Sequence, residues 1–185
     1  MADPYLQELW GKVLAGEIEQ PGSYSLRTLD FLSVMTQKEA ERFVAACQYL
    51  VWTPHYRCIP RDVTFLHGSD FTLRDFTELA EIGLFQETEV SMDPFGVGAK
   101  EYYFGFSDAA LAVTKAPTPS NTVWLNPGLS IWILTKSGRE LTKFFPWETP
   151  NGYVGNFREG IRKIGWGSRI GKIADYSSPA FKESN

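Results

Sequence analysis

Cysteine and histidine are scarce in this chain. Its 185 residues include two cysteines, Cys47 and Cys58, and two histidines, His55 and His67. A structural zinc site takes about four ligands of these types. His55, Cys58 and His67 fall within a short span, yet no Cys-x-x-Cys is present and the spacing matches no metal motif. No metal and no cofactor are therefore expected, and two free thiols fit a reducing compartment. Long apolar runs are missing too: none approaches the ~20 residues that a membrane span needs. There is no signal peptide, because the N-terminus passes almost directly into an amphipathic segment with acidic residues. The expectation is a cytoplasmic protein with no membrane segment. The very short leader before the first helix is also compatible with one domain of a longer polypeptide.

The motifs of common catalytic chemistries are likewise absent. There is no Gly-x-Ser-x-Gly elbow and no Walker-type phosphate loop. Gly96-Val97-Gly98 lacks the third glycine and the strand–helix context of a dinucleotide site, and reads as a hairpin loop. Neither His55 nor His67 has a local orienting group that would make it a base for Cys58. The carboxylate pairs Glu78/Glu81 and Glu87/Glu89 read as solvated. No catalytic residue is assigned. Internal repeats and low-complexity runs are absent as well.

Positive charge is in short supply overall, with a net charge of −4, which argues against nucleic-acid binding through a wholly basic surface. It is also unevenly placed. Residues 151–185 carry six Lys/Arg against three Asp/Glu, so the acidic excess lies in residues 1–150. Such a tail can dock on its own body, meet an acidic partner, or follow a phosphate backbone.

What the chain does have is apolar mass: 43% hydrophobic residues, 15% aromatics and six tryptophans. That is enough for one good core and argues against disorder except at the ends. Along residues 1–53 the pattern is helical. Asp3-Pro4 can start a helix whose apolar positions are Leu6, Leu9, Trp10, Val13, Leu14 and Ile18. Pro21-Gly22 breaks it. Ser23 or Ser25 can cap a second helix that faces inward through Leu26, Leu29, Leu32 and Phe31. Thr36 and Glu39 form a capping box for a third, with Ala40, Phe43, Val44, Cys47, Leu50 and Val51 at helical spacing.

Residues 54–146 change character. Residues 56–60 are extended. A helix over 72–82 carries a capping box (Thr72, Asp75), a staple (Phe71, Phe76) and a left-handed C-cap at Gly83. Strands are expected at 84–90, 101–106, 111–114, 123–125 and 130–134, with a loop at 91–99, and another helix starts near Thr135. Helix followed by hairpin is the order of a winged helix. Its outward residues Arg74, Asp75, Thr77, Glu78 and Glu81 are too acidic for a DNA-reading surface. Residues 147–185 read as a Gly- and aromatic-rich basic tail, with a short helix through Phe157, Ile161 and Ile164. The fold class is thus α+β: a three-helix unit packed on a winged-helix-like half and closed by the tail, the three parts together forming one compact unit.

One signature is specific. Trp10, Gly16-Glu17-Ile18, Pro21-Gly22-Ser23-Tyr24-Ser25, and Arg27-Thr28-Leu29 resemble the N-terminal motif of the DUF2806 group of bacterial proteins. A later pattern, Gly83-Leu84 and then Leu134-Thr135-x-x-Gly138-x-x-Leu141, fits the same resemblance less specifically. The group has no assigned activity, so no site residues are carried over. The resemblance implies a bacterial origin and a mobile-element or phage-defence setting.

Candidate binding residues follow from charge and placement. Arg27 and Glu17 flank the Pro-Gly break; Arg27 either ties the corner together through Glu17 and carbonyls or belongs to a site. In the tail, Arg158, Arg162, Lys163 and Arg169 interleave with Trp166, a pattern that suits nucleotide or single-strand contacts and equally an intramolecular clamp. The favoured reading is a non-enzymatic interaction or sensing module, binding a protein partner or itself. The alternative is a nucleic-acid or nucleotide binder using the tail, with an unrecognised enzyme below both.

Overall fold

A computed structural model describes residues 4–62, 65–66, 71–88, 90–93, 100–115, 128–145, 148–173 and 181–183. Asp3, His67, Glu89, the strand expected at 123–125 and the glycine pair at 96 and 98 lie outside these residues, as do the side chains of Leu6 and Leu9.

The N-terminal helices form where the local signals place them. Helix α1 (Pro4–Glu19) stops before Pro21, and Gly22 turns the chain at φ 81°, a left-handed conformation that glycine adopts without penalty. Ser25 caps α2 (Leu26–Val34) by accepting from the Thr28 N–H. Thr36 and Glu39 close a reciprocal capping box on α3 (Gln37–Cys47). The third helix is shorter than its apolar periodicity suggests: Val51 already belongs to strand β1 (Val51–Trp52), which forms a hairpin with β2 (Arg57–Pro60).

Helix α4 (Leu73–Glu81) has the expected ends. Thr72 and Asp75 cap it reciprocally. The staple rings Phe71 and Phe76 meet at 5.2 Å. Gly83 sits at φ 84°, and the Leu84 N–H returns to the Leu79 carbonyl at 3.0 Å. Strands β3 (Val90–Met92), β4 (Glu101–Gly105), β5 (Ala110–Thr114) and β6 (Leu129–Ile133) follow, then α5 (Lys136–Leu141), α6 (Tyr153–Lys163), β7 (Gly167–Ile173) and β8 (Phe181–Glu183).

The eight strands among the described residues join one sheet in the order β3-β6-β2-β1-β4-β5-β7-β8, and every neighbouring pair is antiparallel. The chain is α+β. The hairpin after α4 differs from the winged-helix expectation. β3 pairs with β6, aligning Val90 with Ile131 and Met92 with Leu129. β4 pairs with β5, across a tight turn in which the Phe106 N–H reaches the Ala109 carbonyl at 2.8 Å. Short connections favour sequence neighbours, so β5 takes β4. Of the strand expected at 84–90, Phe85 forms a single bridge to Leu134 and regular pairing starts at Val90. The segment read as a tail supplies the α6 helix and two strands, with β7 lying along all of β5.

Aromatic rings join the helices to the sheet. Phe157 of α6 meets Phe104 and Phe106 at 5.1 and 5.3 Å. Phe76 of α4 stacks on Trp132 of β6 and meets Phe85, which meets Phe43 of α3. These rings are buried and contribute their large apolar area to the core. Gly160 is needed where α6 crosses Phe65: a Cβ there would stand 2.6 Å from that ring.

Candidate functional site

The signature residues build a corner and a latch. Glu17, in the last turn of α1, accepts from the N–H groups of Gly22 and Tyr24, each at 2.8 Å. One carboxylate thus satisfies two backbone donors left free by the break. The Tyr24 ring packs between Gly16 and Phe144: a Cβ on Gly16 would lie 3.0 Å from the ring, and the Phe144 centroid is 4.5 Å away. The Lys143 ammonium lies 5.7 Å from the Tyr24 ring centre. Burial, followed by the charges of Glu17, Glu140 and Glu19, raises the Tyr24 pKa.

Ser25 and Thr28 then hold a carboxylate from the far half of the chain. Glu140 of α5 accepts from the Ser25 N–H and hydroxyl, each at 2.9 Å, and from the Thr28 hydroxyl at 2.6 Å. Thr28 is fully buried. Lys136 stands one helical turn away, at 3.8 Å. Burial pushes the Glu140 pKa up, but the Thr28 and Ser25 hydrogen bonds and the Lys136 charge outweigh it, and the net shift is downward. The two stretches of the family-like pattern are therefore in contact through a charge-assisted network.

Arg27 takes no part in this. Its side chain is exposed and makes no hydrogen bond or ion pair among the described residues. The expectation that it ties the corner together is corrected: Glu17 does so through main-chain donors, and Ser23 adds bonds to the Gln20 carbonyl.

The tail candidates are spread over different surroundings. Arg158 and Lys163 are exposed on α6. Arg162 pairs with Glu159 at 3.2 Å on the same helix. Arg169 of β7 crosses the sheet to Glu101 of β4 at 2.8 Å. Trp166 is 4% exposed, inside the core, so it offers no stacking platform. Asp75 is also inward, at 7% exposure, where it completes its capping box and pairs with Arg42 of α3. That pair lies in a cleft of about 490 Å³ between α3 and the start of α4, lined also by Lys38, Glu41, Tyr49 and Phe71. Cations and carboxylates balance there.

Both thiols are buried. Burial pushes Cys58 up to about 12 and Cys47 higher still, which keeps both protonated and poorly nucleophilic at neutral pH. No group of three or more metal-ligating side chains occurs among the described residues, and no helix among them is long and apolar enough to cross a membrane.

The exposed face of α1 was the feature sequence reasoning placed wrongly. Val13 is the inward residue, at 1%, with Trp10 partly buried against the core. Leu14 and Ile18, expected inside, are 57% and 81% exposed. Gly11 and Ala15 are exposed beside them. These four positions recur at i, i+3, i+4 and i+7, one uninterrupted apolar stripe on the solvent side. Leu26 of α2, also expected inside, is 80% exposed, as is Val34 at 76%. The signal that could have found the stripe is that α1 is apolar on more than one face.

Residues 1–56 match the model of a family described as DUF2806, a protein family of unknown function. The match covers α1 to α3 and the first hairpin strand, and so contains Glu17, Ser25 and Thr28 while Glu140 lies beyond it. No curated protein and no solved structure matches the chain.

Proposed function

We propose that this is a non-enzymatic, cytoplasmic interaction module of bacterial origin that associates through the outward stripe of α1, with a second copy of the same chain as the occupant. The observation that carries the reading is the exposure of Leu14 and Ile18 at 57% and 81% on one helix. Neighbouring apolar side chains left in water on a helix are what a packed helix interface needs. Gly11 and Ala15 between them let another helix approach closely, toward the 8–10 Å interaxial separation of packed helices. Antiparallel pairing centred on Ala15 brings Lys12 of one copy within about one residue's rise of Glu19 of the other, an attractive rim for the apolar centre. The mobile-element or phage-defence setting is part of the same proposal and rests on analogy alone.

The alternative, nucleotide or single-strand binding by the tail, has less support. Trp166 is in the core, and Arg162 and Arg169 each have a carboxylate partner.

Light scattering on a concentration series tests the proposal. A monomer–dimer equilibrium is expected. A strict monomer at every concentration would remove self-association, and a partner other than this chain would then have to cover the stripe.

A further inference from the structure

Arg57 of β2 and Arg139 of α5 are both tied to Leu134 and Thr142. The backbone of Leu134 ties both: its N–H donates to the Arg57 carbonyl at 3.0 Å, and its carbonyl accepts from Arg139 Nη1 at 2.9 Å. Thr142 ties them again. Its Oγ1 accepts from Arg57 Nη1 at 3.0 Å and donates to the Arg139 carbonyl at 2.8 Å. Arg57 is held flat over the Trp52 ring, its Cζ 3.9 Å from the ring centre. The guanidinium is thus fixed from one side by an aromatic face and from another by a buried hydroxyl.

A half-buried guanidinium is ordinarily paired with a carboxylate. Here neither arginine has an ion pair among the described residues, and Glu140, the residue next to Arg139, is turned to Ser25, Thr28 and Lys136. The consequence is visible in Arg57: burial, and after it the Arg139 charge, lowers its pKa. Positive charge has been partly desolvated, with no carboxylate partner among the described residues to offset it.

We propose that Arg57 and Arg139 form a binding site for a phosphoryl dianion. A carboxylate can be satisfied by one guanidinium fork, whereas the oxygens of a phosphoryl group can bridge two. Arg57 has spent one N–H on Thr142 and keeps the others for a ligand. Arg139 is exposed and gives access from solvent. The site is separate from the α1 stripe and does not depend on it.

Isothermal titration of the full chain at fixed ionic strength, with inorganic phosphate and separately with glycerol 3-phosphate, tests the assignment. Saturable binding is expected, weakened about tenfold or more by Arg139→Gln and by Arg57→Lys. The lysine variant keeps the charge and the apolar stem while removing the fork, and circular dichroism checks that the fold is retained. Tighter binding of the ester identifies a phosphomonoester as the ligand; tighter binding of the free ion identifies phosphate itself. Absence of saturable binding of either compound, or affinities unchanged in both variants, would overturn the site. Acetate binding as tightly as phosphate would overturn the phosphoryl assignment.

Discussion

The Thr28 hydroxyl donates to the Glu140 carboxylate at 2.6 Å across 112 residues of sequence. Together with Ser25 it fixes the helical corner of residues 4–34 to the second half of the chain. A half-buried carboxylate held by three donors is a structural latch, and the stripe on α1 is positioned by what it secures.

The first prediction concerns that latch. Thr28→Val removes the shortest of the three hydrogen bonds and leaves a Glu140 oxygen without it in a mostly buried site. The expected cost is about 1–3 kcal/mol, read as a shift in the urea midpoint. A double-mutant cycle with Glu140→Gln should show a coupling of at least ~0.5 kcal/mol. Additive effects would mean the two side chains do not act together.

The pH dependence follows from the sign of the Glu140 shift. Its folded pKa lies below the ordinary value, so folding favours the ionised form. The contribution is fully present above the unfolded value, about 4.3, and is lost as pH falls through the folded value. Stability measured by denaturant midpoint should therefore drop in acid more steeply for the natural chain than for Glu140→Gln. Parallel curves would assign acid sensitivity to other carboxylates.

Gly138, in the same helix, makes a steric prediction. A Cβ at this position would collide with the Leu84 carbonyl, a backbone atom that cannot swing away, and with Leu134 at 2.9 Å. Gly138→Ala is expected to destabilise by about 1–3 kcal/mol despite alanine's better helix propensity. Gly155, which has nothing within 4 Å of its Cβ position in α6, serves as the control. Gly155→Ala should be neutral or stabilising by thermal melting.

The thiols give a reactivity prediction. Cys47 and Cys58 are 0% and 1% exposed, and burial holds Cys58 at about 12. A thiol-specific chromogenic reagent at neutral pH should modify neither until the protein unfolds. Rapid modification of one thiol in native buffer would show local opening around α3 or β2.

What could be read from the sequence was local. Thr36 with Glu39, Thr72 with Asp75, and Gly83 each declare a helix end within a few residues, and all three are where expected. Glu140 was unreadable as the partner of Ser25 and Thr28 because nothing local marks a contact over that separation. Leu14 and Ile18 were misplaced because periodicity shows that a helix has apolar positions and says nothing of which stripe the core takes when there is more than one. Strand β7 was missed because Gly167, Ser168, Arg169 and Gly171 hide the alternation of a strand. Its backbone, lying along β5 from Gly167 to Gly171, supplies what the side chains do not announce. Arg57 and Arg139 were overlooked for the same reason as Glu140, since only the fold brings β2 and α5 together.

The central claim is that the outward stripe of α1 is an interface. Sedimentation equilibrium of the natural chain beside Leu14→Glu/Ile18→Glu tests it most directly, because both side chains are solvent-exposed in the isolated fold and charging them leaves the core intact. The account predicts a concentration-dependent dimer for the natural chain and a folded monomer for the double variant, with unfolding midpoints of the two monomers within about 0.5 kcal/mol. A double variant that still dimerises as tightly as the natural chain would contradict it.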